Sequence, residues 1–546
     1  MALLDREHTI ISANPTYYKC IVLAPGTNVR PILYRLQLLL TMWAGRVTFD
    51  ILPDDVLLHI FHFDRLRYLD EESVVDDDEW HPSWPWHRLV HVCRRWRSAI
   101  FVSPNFLHLR LVCGPRTRLE HIGIWPPLPI TIRDQPYWPI PDDYDFDAAI
   151  VHPDRVCEIY LYNLTSPVLQ RLVSATQEQF PALIHLRLDY CFELFDSHPA
   201  PGLPDGFLGG SAPRLQSLRL DHIAFPALPK LLLSATDLVC LSLWRIPHSG
   251  YISPEAISTA LAVLANLKSL FIGFESSLSR PDRESRRPPP RTRTVLPALT
   301  SFHFNGVNEY LEDLVARIDS PLLNSITIIF FERLTSHWHI RQLAQFMRRT
   351  TGFQELNEVH VSFADYDVTV LSPLAIRSDK RSGLKIQYEG LNWQIPSLAQ
   401  SFPPFFPSMV KHLYIYEYDE LSHRFSLPRT QGDIENMRWL EFFHPFTAVE
   451  NLYVSKAFTP CIVPLQDLAG ARTTEVLPTL QNIYLEGSQR SASPAIGKIV
   501  AARQFSGHPI NVSSWQNKRE IRLGLRGLSI NVSPARNILI LICCVK

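Results

Sequence analysis

The sequence predicts an α+β chain in which a small all-α domain precedes an irregular α/β solenoid. Two observations carry this. Apolar residues recur at three- and four-residue steps in two short stretches near the N-terminus, and one phrase, apolar-x-x-apolar-x-apolar, returns throughout residues 156–485. At 546 residues the chain is too long for one compact core, so two kinds of unit also suit its length.

Residues 1–45 fit neither pattern and are left unassigned. The helical domain is expected over 46–112. Pro53 suits a helix start because its missing N–H costs nothing there, and Asp54 and Asp55 favour the positive end of the helix dipole. Val56, Leu57, Ile60 and Phe61 then form one apolar stripe, and Leu89, Val92, Cys93, Trp96 and Ile100 form a second. Two amphipathic helices this short cannot bury their apolar faces in so small a core. They need each other and a third surface, expected to be another protein. Between them, residues 64–85 carry the acidic runs Asp70-Glu71-Glu72 and Asp76-Asp77-Asp78-Glu79. Two readings stay open for this insert, a solvated surface loop or a dock for a basic partner. Arg94, Arg95 and Arg97 crowd the polar side of the second helix, where solubility and cation–π contact with tryptophans are their expected roles.

The segment Ile51-Leu52-Pro53-Asp54-Asp55-Val56-Leu57-Leu58-His59-Ile60-Phe61, answered by Leu89-Val90-His91-Val92-Cys93-Arg94-Arg95-Trp96-Arg97, resembles an F-box. The resemblance implies docking on the small SKP-type adaptor that bridges to a cullin scaffold. Leu52, Pro53, Val56, Ile60, Val92, Cys93 and Trp96 match the family's contact positions, and Leu57, Phe61 and Leu89 complete the expected adaptor-binding set. The 64–85 insert is longer than the family's usual connection. A plain helical hairpin that only caps the solenoid is the alternative.

Residues 113–152 read as a proline-rich connector and 153–490 as the solenoid. The phrase opens at Val156, Ile159, Leu161 and continues through Leu183, Leu186, Leu188, then Leu215, Leu218, Leu220, to Leu480, Ile483, Leu485. Ser166-Pro167 and Ser253-Pro254 each place a capping residue before a proline at the first helical position, so helices are expected between strands. Each strand-plus-helix unit has an apolar face that only its neighbours can cover. This region resembles leucine-rich repeats more loosely than the N-terminus resembles an F-box. The asparagine that normally follows the strand is missing, Cys191 takes its place once, and Leu384-Lys385-Ile386 is expected to belong to a degenerate unit. A leucine-rich-repeat-like but irregular solenoid is therefore the expectation. Residues 280–294, rich in arginine and proline, are expected to be a disordered loop, and 491–546 an unassigned extension.

In such a solenoid the residues between the apolar positions line one face of the sheet. Early rungs are expected to present Arg187, Asp189, Arg219, Asp221 and Trp244, and late rungs Tyr414, Tyr416, Tyr453 and Tyr484. Such residues are often energetic in interfaces, which suggests a target-binding face. The alternative is that the Arg and Asp residues merely satisfy one another while the tyrosines cover the sheet edge.

A net charge of −1 points away from nucleic acid and membrane surfaces. Nine cysteines without C-x-x-C or zinc spacing point to a reducing compartment, cytoplasmic or nuclear, and no cofactor motif occurs. Asp142-Asp143-Tyr144-Asp145 reads as a solvated turn, and no residue is nominated as a catalyst. The F-box resemblance implies a non-catalytic role, namely substrate recognition in a cullin-based SCF-type ubiquitin ligase. A non-degradative repeat scaffold is the alternative.

Overall fold

The computed structural model describes residues 8–14, 17–23, 52–70, 86–104, 106–114, 126–134, 146–191, 202–281, 292–331, 341–353, 357–363, 367–371, 383–389, 409–417, 439–467, 474–487 and 494–515. The chain divides into two units, Met1–Leu109 and Arg110–Lys546.

In the first unit, strands β1 (His8–Asn14) and β2 (Tyr17–Leu23) pair antiparallel within the stretch left unassigned from sequence. Helix α1 (Asp54–Asp70) starts where the proline and aspartates place it, with Leu57 N–H donating to the Pro53 carbonyl at 3.1 Å. It also runs seven residues into the expected 64–85 loop. Nothing from Asp64 to Asp70 breaks a helix, because the stretch holds neither Gly nor Pro and includes strong helix formers. The acidic runs beyond Asp70 lie outside the described residues.

The second stripe is not one helix but two, α2 (His87–Val90) and α3 (Arg94–Val102). Cys93 is extended (φ −156°, ψ 169°), and its Sγ accepts the Trp96 N–H at 3.5 Å, so it caps α3 instead of continuing a turn. A stripe count detects spacing but not this cap. Leu57, Phe61, Val90, Trp96 and Ile100 are buried, with Phe61 and Trp96 edge to face at 4.9 Å between ring centres.

Among the described residues, the second unit is built on one sheet of sixteen strands. Its first nine strands are β3 (Leu111–Cys113), β4 (Ile130–Arg133), β5 (Val156–Leu164), β6 (His185–Tyr190), β7 (Ser217–Asp221), β8 (Cys240–Ile246), β9 (Ser269–Phe274), β11 (Ser301–Gly306) and β13 (Ser325–Phe330). They are all parallel and lie in chain order. A separate two-stranded pair, β10 (Thr294–Val295) with β12 (Ile318–Asp319), lies outside this sheet.

The sequential order then breaks. Strands β14 (Glu358–Phe363), β15 (Asp367–Leu371) and β16 (Gly383–Glu389) form an antiparallel meander whose last strand returns to pair with β13. The degenerate unit expected around Leu384-Lys385-Ile386 is this returning strand. The parallel order resumes from β14 through β17 (His412–Glu417), β18 (Asn451–Val454), β19 (Asn482–Glu486) and β20 (Asn511–Trp515).

The phrase's apolar positions point inward as the periodicity predicts. Leu186, Leu188, Leu218, Leu220, Phe302, Phe304, Ile326, Ile328, Leu413, Ile415, Leu452 and Val454 are all 3% exposed or less. The short helix α4 (Asp147–Ile150) precedes β5. Helices α5 (Ser166–Ala175), α6 (Leu228–Leu232), α7 (Pro254–Leu261), α8 (Asn308–Val315) and α9 (Arg341–Arg349) connect strands and bury their own apolar stripes. Ser253 caps α7, its hydroxyl accepting the Ala256 N–H at 3.2 Å. Ser166 does not cap α5 but lies within it, and its hydroxyl meets that of Tyr190 at 3.1 Å.

Two expected boundaries are corrected. The proline-rich stretch 113–152 contributes β4 to the sheet, because Ile130 and Ile132 alternate inward although prolines flank them. The extension after 490 contributes helix α10 (Pro494–Phe505) and β20, the last strand of the sheet.

Polar contacts also join successive repeats. The buried Glu312 carboxylate on α8 accepts the N–H groups of Gln342 and Leu343, both at 2.8 Å, at the start of α9. The buried Tyr310 hydroxyl donates to the Ile252 carbonyl at 2.8 Å.

Candidate functional site: an apolar helical surface and an outward sheet face

In the first unit, helix packing divides the apolar residues into two groups. Leu57, Phe61 and Trp96 turn inward, whereas Ile60 is 40% and Val92 56% exposed. Pro53 is also exposed, and Leu52, Val56, Leu89 and Cys93 are half-buried. Arg95 ties the two helical stretches together. Its guanidinium reaches Asp54 Oδ1 at 2.8 Å and donates to the Leu52 carbonyl, fixing the start of α1 against α3. Arg97 donates to the Val90 carbonyl at 3.0 Å. Both arginines were expected to serve solubility and cation–π contact, yet the contacts they make brace the backbone. The Arg95–Asp54 pair is partly exposed, so its own contribution is roughly 1 kcal/mol or less.

In the second unit, the pleat turns alternate residues of every rung to the face opposite the inward apolar positions. Arg133, Tyr160, Arg187 and Arg219 stand in one outward column across β4 to β7. Ser242, Phe271 and His303 continue it across β8, β9 and β11. Beyond the meander, His360, Tyr414, Tyr453 and Tyr484 occupy the same column. Their rings are nearly parallel, with centres 4.1, 4.0 and 4.4 Å apart along the series. These spacings are shorter than the roughly 4.8 Å between strands, so the rings lean into contact. Trp515 meets this stack edge-on at 5.7 Å from Tyr453, and its Nε1–H donates to the Val454 carbonyl at 3.2 Å. Asn451, Asn482 and Asn511 run alongside as an amide ladder, with links of 2.8 and 3.3 Å. A second stack joins Trp244, Phe271 and His303, with centres 3.7 and 4.0 Å apart.

Residues 49–113 match the F-box-like family model. No curated protein matches the chain. Among solved structures, the leucine-rich repeat-containing protein LegL7 from Legionella pneumophila is similar at 13% identity and a TM-score of 0.24, over 73% of this chain and 98% of that one.

The structure spreads the residues expected to form the F-box-like domain's contact surface over two environments. Leu52, Pro53, Val56, Ile60, Leu89, Val92 and Cys93 keep surface, while Leu57, Phe61 and Trp96 are core. For those three the expectation of direct contact is corrected, because a helix stripe wide enough to serve a core also supplies residues that face only that core.

On the sheet, Arg187 and Asp189 pair at 2.8 Å, each 14% exposed, and Asp221 is buried against Arg245 at 2.7 Å. Each of these acids has an arginine beside it, although Asp189 Oδ1 is buried without a hydrogen bond. Tyr416 shares the outward face with Tyr414 but is only 3% exposed, covered in part by the edge of the His360 ring at 5.8 Å. Arg219 stacks on Trp244 at 5.2 Å, and Tyr414, Tyr453 and Tyr484 share one stack. Phe271, His303, His360, Asn451 and Asn482 were missed, although they occupy outward positions of the same phrase and were legible by offset, whereas Asn511 lies beyond the last phrase.

Burial, followed by the nearby Lys385 charge, pushes the His303 imidazole down to about 3, so it stays neutral at physiological pH. The unfolded chain binds a proton near pH 6.5 that the folded protein refuses until about 3. Stability from the Phe271–His303 stack is thus complete above pH 6.5 and declines as pH falls from there toward 3. The expected result is a falling melting temperature over that window that is flatter in His303→Phe. Equal slopes for the two proteins would contradict this assignment.

Among the described residues, no cluster of three or more His, Cys, Asp or Glu is placed to hold a metal, and no helix is long and apolar enough to cross a membrane.

Proposed function

We propose that this chain is the substrate-recognition subunit of a cullin-based SCF-type ubiquitin ligase, acting in the cytoplasm or nucleus. The observation that carries the reading is the F-box-like match over residues 49–113. The apolar surface left on that domain at Pro53, Ile60 and Val92 supports it. F-box domains generally bind SKP-type adaptors, and covering side chains that are already about half buried gains roughly 1 kcal/mol each, about half the value for full burial.

The outward face of the sheet, with its stacked tyrosines and arginines, is the surface assigned to the target protein. Ubiquitin transfer is left to other subunits. This chain's contribution is proximity, because holding a target beside a charged conjugating enzyme turns a bimolecular encounter into a local one.

The direct test mixes purified full-length chain with purified SKP-type adaptor and cullin. A ternary complex on size exclusion is expected, and absence of adaptor from the chain's peak overturns the reading. A complex that forms but supports no ubiquitin transfer to any bound protein would instead favour a non-degradative scaffold.

A further inference from the structure

Two adjacent outward columns run across β17 to β20. One holds Tyr414, Tyr453 and Tyr484 and ends at Ser513. The other, two residues earlier on each strand, holds His412, Asn451, Asn482 and Asn511. Trp515, two residues beyond Ser513, stands on the opposite side of the tyrosines, edge-on to Tyr414 at 5.9 Å and to Tyr453 at 5.7 Å. The phenols are therefore flanked by amides on one side and by an indole on the other. All three tyrosines and Trp515 are half-buried, so the stack keeps an outer edge.

From β18 to β20 both columns consist of uncharged groups that donate and accept hydrogen bonds. Burial, followed by the Glu358 carboxylate, raises the Tyr414 phenol above its ordinary range, and burial does the same for Tyr453. Both hydroxyls therefore keep their protons and can donate. Each asparagine nitrogen carries two N–H groups, and the ladder links from Asn482 and Asn511 use one apiece. Such a surface suits a neutral ligand that is rich in carbonyl acceptors and has apolar groups to lay against aromatic edges.

Spacing narrows the ligand further. Neighbouring rungs of a sheet lie roughly 4.8 Å apart, so alternate rungs are roughly 9.6 Å apart. A polyproline II helix turns once in three residues, over roughly 9.3 Å. Tyr414 and Tyr484, on alternate rungs, stand about one such turn apart with Tyr453 between them. An extended strand repeats its side chains every 6.8 Å or so, roughly, and falls out of step with the rungs at once. An amphipathic helix needs an apolar groove, whereas these columns are lined by hydroxyl and amide groups. The polyproline II backbone makes no internal hydrogen bonds, so its carbonyls are open to phenol and amide donors. Proline-rich segments also hold this shape before they bind, which limits the freedom they lose on aromatic-lined surfaces.

We infer that the phenol column of β17 to β19 binds a proline-rich segment of the target protein in the polyproline II conformation, laid across the strands with prolines three residues apart against Tyr414 and Tyr484. This deepens the reading of the sheet as the target-binding surface and rests on it. Tyr453 and the asparagine amides take the carbonyls between the prolines, and Trp515 bounds one side.

The test is selection from a random-peptide library on the purified full-length chain, followed by affinities of the enriched peptides for the parent, Tyr484→Ala and Tyr453→Phe. Enriched peptides are expected to carry prolines at a three-residue spacing and, when free, to show the circular dichroism of polyproline II. Replacing both prolines with alanine should weaken binding roughly tenfold or more, and so should Tyr484→Ala. Tyr453→Phe keeps the ring stack and removes one hydroxyl, so affinity should fall roughly threefold to tenfold while the melting temperature stays close to that of the parent. Thermal melts establish that each variant is folded, and if Tyr484→Ala is not, the conservative Tyr453→Phe decides. No enrichment, enriched peptides without that proline spacing, or affinities unchanged in the folded variants would overturn the inference. Enrichment of peptides of another composition whose binding is lost in folded Tyr484→Ala would sink it while leaving the sheet as the target-binding surface. Adaptor capture through the F-box-like domain is a separate measurement and tests the broader reading alone.

Discussion

Aspartate at both Ile60 and Val92 is expected to abolish adaptor capture while leaving the F-box-like domain folded. The two side chains are 40% and 56% exposed, so charging them adds little to the cost of folding. In a contact with an apolar partner surface, each new carboxylate must be stripped of water without a compensating cation. That costs several kcal/mol per group, and affinity should drop by roughly a hundredfold or more. The measurement is co-elution of purified adaptor with the variant, alongside a thermal melt. Retained capture would remove these two positions from the contact. Trp96→Ala is the instructive contrast. Trp96 is 9% exposed and packed on Phe61, so its truncation should cost about 3–5 kcal/mol and lose the fold and the adaptor together. A variant containing it cannot separate contact from stability.

The second large effect is expected at Glu312→Ala. This carboxylate is 7% exposed and accepts the first N–H groups of α9 from Gln342 and Leu343. A helix start offers several N–H groups that its own turns cannot satisfy, and here a neighbouring repeat supplies the acceptor. Alanine leaves both donors buried without it, a loss of about 2–4 kcal/mol. Because the unit is a stack, the loss should be local at first. Hydrogen exchange should accelerate through residues 341–349 before it does in β5 to β8, and the melting temperature should fall. Uniform acceleration throughout the sheet would show that the contact is not confined to this junction. Glu312→Gln, which keeps one acceptor oxygen, should recover part of the loss.

The parts of this protein legible from sequence are those governed by local periodicity. Helical steps from Val56 to Phe61 located α1, and the apolar phrase located the inward residues of strand after strand. The outward column was legible by the same offset, although the asparagine ladder and His360 were not picked out. Features that depend on a particular side chain meeting a particular backbone atom were not legible. Cys93 lies on the apolar stripe by spacing, yet it caps α3 through its sulfur. Tyr416 has the same composition signal as Tyr414, yet it is buried while Tyr414 joins the stack.

By itself, the sequence determined the class of the F-box-like and repeat regions, because a period of 3.6 or 2 sorts residues into inward and outward sets whatever the surroundings. It also determined the F-box resemblance, which lies in two short segments of specific residue order. Only the tertiary structure decided which apolar residues of the F-box-like domain keep surface, since Ile60 and Phe61 differ by one helical step and not in chemistry. The meander that sets β16 beside β13 was likewise decided by strand pairing, which joins residues far apart in the chain and leaves no periodic trace in either strand. The arginines of β4 to β7 and the tyrosines of β17 to β19 lie in one register column only because their strands share a sheet. Backbone hydrogen bonds between strands, and not any local propensity, assemble that surface.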